Sequence, residues 1–100
     1  MKNTNNEVNG YDNEIQNMRT QINILDEKIV KLLKERLQLV YQVREFKKIE
    51  SIPFHCPTRE EVVLANISIG SEGLEREYLS QIYKTLLQVT RSVADQKLNN

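Results

Sequence analysis

The 100-residue sequence has little glycine, proline or cysteine, with three Gly, two Pro and one Cys. So few turn-forming residues argue against a β-sandwich and favour a helical protein. The single Cys56 cannot form a disulfide within the chain, and no apolar run follows Lys2 as it would in a signal peptide or a membrane span. We therefore expect a cytoplasmic protein that makes no contact with a membrane.

An excess of charge of either sign is also absent, because 14 Lys and Arg balance 14 Asp and Glu. A formal net charge of zero gives no reason to expect nucleic acid as a partner. The only histidine, His55, precedes Cys56, and no further His or Cys could complete a zinc site or a catalytic thiol arrangement. We therefore expect no metal site.

The feature that is present throughout is helical periodicity. Residues 1–13 contain five asparagines and little apolar material, so we expect a flexible tail there and a helical domain over residues 14–100. No Gly or Pro occurs between Tyr11 and Ser51, which predicts one long helix from about Glu14. Its apolar residues recur in steps of three and four, and form a stripe of Met18, Ile22, Leu25, Ile29, Leu32, Leu39, Val43 and Phe46. A helix this long must pack on another chain or on the rest of its own chain.

The remainder of the sequence predicts two further helices. Pro53 and Pro57 interrupt the first helix, and the capping-box spacing of Thr58 and Glu61 predicts that a short helix starts between residues 57 and 59. The run from Gly70 to Gly73 ends it, and a third helix is predicted over residues 74–98. The fold class is therefore all-α, with a long, a short and a medium helix in that order.

Arg36 stands where the stripe needs an apolar residue. It lies eleven positions before Lys47, so the two share a helix face, whereas Arg19 lies seventeen positions before Arg36 and about 100° away. Arg19 could reach the same pocket only from a second copy packed antiparallel across a two-fold axis. A partly buried cation of this kind could await an anionic ligand, or it could simply extend to water or pair with a carboxylate. Periodicity leaves both interpretations open.

Three stretches resemble the all-helical (type II) chorismate mutases. They are "MRTQINILDEKIVKLLKERLQLV", "PTREEVV" and "YLSQIYKTLLQVTRS", and the resemblance extends from Met18 to Ala94. It implies an intertwined homodimer of three-helix chains that converts chorismate to prephenate in the shikimate pathway of aromatic amino-acid biosynthesis. It also implies that no cofactor is needed, since the rearrangement is intramolecular. The positions that match the family's site are Arg19, Arg36, Lys47, Cys56, Arg59, Glu60, Thr90 and Ala94.

The resemblance also implies a role for each position. Arg36 and Arg19 of the partner subunit would bind the two substrate carboxylates, and Lys47 would donate to the ether oxygen whose bond breaks. Glu60 and the backbone of Cys56 would hold the ring hydroxyl.

Two more residues complete the implied site. Arg59 would support it, and Thr90 would assist a carboxylate. Arg59 and Glu60 would also be ordinary residues for a helix start, so the pattern by itself does not identify them as a site.

Two positions depart from the family. Cys56 stands where the family often has an acid, which matters little if the backbone makes the contact. Ala94 stands where the family usually has Gln or Glu as a second donor to the ether oxygen, so we expect slow catalysis. The alternatives are an isochorismate-pyruvate lyase, a non-catalytic chorismate-binding or regulatory helical dimer, and a plain coiled-coil adaptor.

Overall fold

The computed structural model describes residues 6–99 of the chain, and the side chains of residues 10–97. Three helices form: α1 over Asn6–Ile49, α2 over Pro57–Ser68 and α3 over Gly73–Asn99. No strand occurs within these residues. The predicted all-α class and the order of long, short and medium helix are therefore confirmed. None of the described helices combines the length and the apolarity that a membrane span requires.

Helix α1 begins earlier than the sequence predicts. It starts at Asn6, eight residues before Glu14, so residues 6–13 of the predicted tail are helical. The asparagines there are only weak helix formers, and a single internal glycine such as Gly10 costs a helix about 1 kcal/mol without ending it. Residues 1–5 lie outside the described part of the chain. The predicted mobility of the tail, and the domain boundary at residue 14, stay predictions.

The chain divides within α1 into two compact units, Met1–Arg36 and Leu37–Asn100, which we call the first and the second unit. In the first unit, every described residue from 10 to 35 is exposed. In the second unit α2 packs against α3, and the buried residues among those described, Ser71, Leu87 and Ala94, lie there.

The end of α1 is fixed by a two-bond cap. The amide of Ile52 donates to the carbonyl of Lys47 at 2.8 Å, and the amide of Ser51 donates to the carbonyl of Lys48 at 3.1 Å. This is the Schellman arrangement, in which the residue after the helix takes a left-handed conformation. Ser51 has φ of 60°, a region that glycine occupies far more readily than serine. The cap therefore stops α1 two residues after Lys47 at the cost of some backbone strain.

Helix α2 starts where the sequence predicts, but for a different reason. Cys56 is its N-cap residue, and Pro57 occupies the first helical position, where a missing amide hydrogen is tolerated. No side chain caps the helix, so the capping box predicted from Thr58 and Glu61 is wrong. Thr58 already lies inside the first turn. The turn between α2 and α3 uses Gly70 at φ 84°, which a residue with a side chain rarely adopts.

Candidate active site

Lys47 is held by the loop that follows α1. Its Nζ atom donates a hydrogen bond of 3.2 Å to the carbonyl oxygen of Phe54 and lies 5.9 Å from the centre of the Phe54 ring. The side chain is half-buried near the end of α1, so its ammonium group is partly shielded from water. An ammonium group has three donors, and the contact with Phe54 uses one. Lys47 can therefore still donate to a bound ligand while the loop fixes its position.

Phe54 also contacts a second cation of α1. The guanidinium carbon of Arg44 lies 4.5 Å from the Phe54 ring centre, and Arg44 Nη2 pairs with Asp95 of α3 at 2.8 Å. On the same two helices, Lys97 Nζ lies 5.2 Å from the ring centre of Tyr41. These contacts join the last part of α1 to α3 within the second unit. The Nε atom of Arg44 is buried and has no hydrogen-bond partner among the described residues.

Glu60 lies at the junction of the loop, α2 and α3. Its Oε2 atom accepts from Nε of Arg91 at 2.7 Å and lies 3.6 Å from Nε2 of His55. The Glu60 side chain is 23% exposed and that of Arg91 is 35% exposed, so the pair is partly screened. Because His55 follows Phe54 directly, one short loop contacts both Lys47 and Glu60. The structure thus links two of the predicted catalytic residues through adjacent residues of the loop.

Three other predicted residues of the second unit lie close by in sequence or on the facing helix. The carbonyl of Cys56 accepts from the Glu60 amide at 3.1 Å, which anchors the first turn of α2. Arg59 is exposed. Thr90, next to Arg91, donates from Oγ1 to the Leu86 carbonyl at 2.6 Å within α3. That bond holds the hydroxyl against its own helix.

Ala94 is the most buried residue described, with 1% of its surface exposed. It offers a ligand nothing but a methyl group, and a larger side chain there must displace its neighbours. Its assignment to the substrate site stays a prediction.

Arg19 and Arg36 belong to the first unit. Arg19 is exposed on α1, and Arg36 is half-buried at the end of the unit. For Arg36 of one chain and Arg19 of another to bind the same ligand, a second copy of the chain is required. Their roles therefore also stay predictions.

No site role was predicted from the sequence for four residues that the structure brings to this region: Arg44, Phe54, His55 and Arg91. Two of them carried a usable signal. His55 and Arg91 directly neighbour the predicted residues Cys56 and Thr90. Arg44 and Phe54 carried none, since a cation on a solvated helix face and a phenylalanine in a loop are both common.

The described part of the second unit offers cations, one partly shielded carboxylate and backbone groups. Within the described residues, no group of His, Cys, Asp and Glu could hold a metal ion. Half-buried Lys47 can stabilise negative charge on a ligand oxygen, and Glu60 can accept a hydrogen bond from a ligand hydroxyl. The arrangement therefore suits binding and electrostatic stabilisation of an anionic, hydroxylated small molecule.

The sequence is similar to those of known proteins. The family model for chorismate mutase type II matches residues 18–95. Two relatives, both named bifunctional chorismate mutase/prephenate dehydratase, come from Aquifex aeolicus (strain VF5) and Buchnera aphidicola subsp. Acyrthosiphon pisum (strain APS). They are 28% and 36% identical over alignments 85 and 81 residues long, and these alignments cover 80% and 79% of this chain. The chain spans only 24% and 20% of the length of these relatives.

Two solved structures of a chorismate mutase from Thermus thermophilus have a similar fold. Form I superposes with a TM-score of 0.72 at 26% identity, covering 77% of this chain and 98% of the other. Form II superposes with a TM-score of 0.76 at 24% identity, covering 82% and 94%. At 24% identity, the comparison with form II supports a similarity of fold and nothing more.

Proposed function

Because this chain belongs to the chorismate mutase type II family, we propose that it catalyses the rearrangement of chorismate to prephenate. The resemblance identified from the sequence is confirmed, and so is the three-helix, all-α fold that it implied for the single chain. The observation that carries the proposal is the extent of the family match. Residues 18–95 include all eight predicted site residues, from Arg19 to Ala94.

The proposed chemistry needs positioning and charge rather than a nucleophile. A flexible dianion must be held in a compact conformation, and negative charge that develops on the ether oxygen must be stabilised. We assign the carboxylates to Arg36 and to Arg19 of the partner subunit, and the ether oxygen to Lys47. An acceleration of about a million-fold requires a barrier lower by about 8 kcal/mol, which several cations in a shielded pocket can supply.

The hydroxyl of the substrate is assigned to Glu60 and the backbone of Cys56. The first backbone bond of α2, from the Glu60 amide to the Cys56 carbonyl, places the two residues in one turn, and the Glu60 carboxylate itself is partly shielded from water. Arg59 and Thr90 are assigned supporting roles beside them. With Ala94 in place of a polar residue, Lys47 is the one donor assigned to the ether oxygen, so we expect a slow enzyme.

The proposed assembly is a homodimer. The stripe on α1 supports it, because residues such as Met18, Ile22 and Leu32 are 54%, 52% and 62% exposed in the single chain. A row of exposed apolar side chains on one helix face is typical of a surface that another helix covers. Arg19 lies next to Met18 and would thereby enter the partner's site. A cytoplasmic location also stays a prediction.

The test follows chorismate loss and product identity in the purified wild type, Arg36→Ala and a matched control, Lys34→Ala. Lys34 is exposed on α1, two residues from Arg36. We expect prephenate from the wild type, a turnover lower by about a hundredfold or more in Arg36→Ala, and wild-type turnover in Lys34→Ala.

Isochorismate, assayed in parallel, tests the lyase alternative. Absence of turnover of either substrate by the wild type would rule out the enzyme proposal. A coiled-coil adaptor instead predicts that Arg36→Leu raises stability and changes nothing else.

A further inference from the structure

We propose that Arg91 is a positioning residue that holds the Glu60 carboxylate ready for the substrate hydroxyl, an inference that rests on the proposed function. Arg91 is outside the set of residues that the family resemblance identified. It enters through its contact with Glu60, which joins α3 to α2.

The contact has the geometry of a strong hydrogen bond. Nε of Arg91 and Oε2 of Glu60 are 2.7 Å apart, at the short end of the range for charge-assisted bonds between nitrogen and oxygen. The two residues are 31 positions apart in sequence, so the bond is tertiary and does not arise from one helix. Because both side chains are partly shielded, the attraction is weakened by solvent less than it would be for a fully exposed pair.

The contact leaves part of the carboxylate available. A carboxylate has two oxygens with about four acceptor positions, and both the Arg91 bond and the His55 approach fall on Oε2. Oε1 can therefore accept a hydrogen bond from a ligand hydroxyl without breaking either contact. A glutamate side chain has several freely rotating bonds, and fixing them before binding removes an entropic cost from the complex.

A second interpretation of the same geometry is that Arg91 binds the substrate directly through its terminal nitrogens. The two interpretations differ in how the mutations combine. A residue that acts only through Glu60 has no further effect once the Glu60 carboxylate is gone, whereas an independent ligand keeps its full effect.

The test is a double-mutant cycle on kcat/KM for chorismate, with wild type, Arg91→Gln, Glu60→Ala and the double variant. We expect Arg91→Gln to lower kcat/KM by about tenfold to a hundredfold, as misplacement of a binding group does. The double variant should match Glu60→Ala alone. Arg91→Lys should recover part of the loss, since it keeps the charge but lacks the fixed geometry of the guanidinium group.

The matched control is Arg76→Gln. Arg76 is another arginine of α3 whose Nε donates a 3.0 Å bond, in this case to the Ser71 carbonyl. Its loss should leave kcat/KM unchanged. Helix content by circular dichroism is compared for all variants, and if Arg91→Gln does not fold, the cycle is run with Arg91→Lys.

Losses that multiply in the double variant would overturn the positioning role while leaving the proposed function intact. If the wild type has no turnover, the same four proteins are titrated with a bicyclic transition-state analogue by calorimetry. Non-additive losses in affinity would then support the inference. Absence of turnover already rules out the proposed function, and absence of analogue binding by the wild type would overturn the positioning role as well.

Discussion

The two units of the chain differ in how deeply their most buried apolar side chains are shielded from water. In the first unit every described residue from 10 to 35 is exposed, including stripe residues such as Leu25 at 54% and Ile29 at 52%. In the second unit, Leu87 and Ala94 are 7% and 1% exposed, and the cross-helix ion pairs described above lie there too. The second unit therefore packs partly within one chain, although the stripe stays exposed there too at Leu39, Val43 and Phe46. The first unit has no buried residue from 10 to 35, and it presents a surface suited to a partner.

The same contrast divides the predicted site. Lys47 and Glu60, in the second unit, already have their positions set by contacts with the loop and with α3. Arg19, in the first unit, is exposed and takes part in the proposed site only if a second copy brings it there. Activity should therefore depend on the first unit through assembly and on the second through local geometry.

The largest effect is expected from a charge in the stripe. Leu25→Glu should prevent dimer formation, because a charge buried in a helix interface without a partner costs several kcal/mol. We expect a monomer with reduced helix content and no measurable turnover, detected by analytical ultracentrifugation, circular dichroism and a chorismate assay.

Thr20→Glu provides the control for that variant. Residue 20 is about 140° from residue 25 around α1, so its added charge lies on the side away from the stripe. It should leave the dimer and the turnover unchanged. A dimeric, active Leu25→Glu protein would show that the stripe is not the interface.

An intermediate effect is expected at the most buried position of the second unit. Ala94→Gln restores the donor that the family usually has, so turnover should rise, by up to about a hundredfold. The same change adds volume where 1% of the alanine surface is exposed, so the free energy of unfolding should fall by about 1–3 kcal/mol. Initial rates and thermal unfolding at one fixed protein concentration measure the two effects separately.

Ala94→Met separates the donor from the added bulk. Methionine has nearly the volume of glutamine but no amide, so it should lose similar stability without gaining turnover. Equal rates for the two variants would mean that position 94 does not face the ether oxygen.

Periodicity was sufficient to predict the long helix and its apolar stripe, because a spacing of three and four residues over a stretch without Gly or Pro has few other interpretations. It missed the first residues of α1, where weak helix formers still extend an existing helix. It also misassigned the cap of α2, since Thr58 and Glu61 have the right spacing but Pro57 already starts the helix. The capping-box spacing and the proline are competing local signals for the start of α2, and the structure shows that the helix starts at the proline.

The residues of the candidate site also differ in how well the sequence predicts them. The resemblance identified Lys47 and Glu60, but Phe54, which holds Lys47, carried no signal in the sequence. Arg91 neighbours the predicted residue Thr90, yet its contact with Glu60 could not be inferred from spacing. A contact over 31 residues depends on how α2 and α3 pack, and no local pattern encodes that. Residues that hold a site are thus harder to predict than residues that form it.

The smallest effect is expected at the cap of α1, in the second unit. Ser51→Gly should raise the free energy of unfolding by about 1 kcal/mol, because a left-handed residue with a side chain costs about 1–2 kcal/mol and the added freedom of unfolded glycine offsets only part of that. Turnover should not change, since glycine keeps the φ of 60° and both cap bonds next to Lys47. Ser51→Ala is the control, because it removes the hydroxyl but keeps the strained Cβ. Thermal unfolding at one protein concentration decides: a gain in Ser51→Ala equal to that in Ser51→Gly would mean that the hydroxyl, and not the backbone, limits stability at this cap.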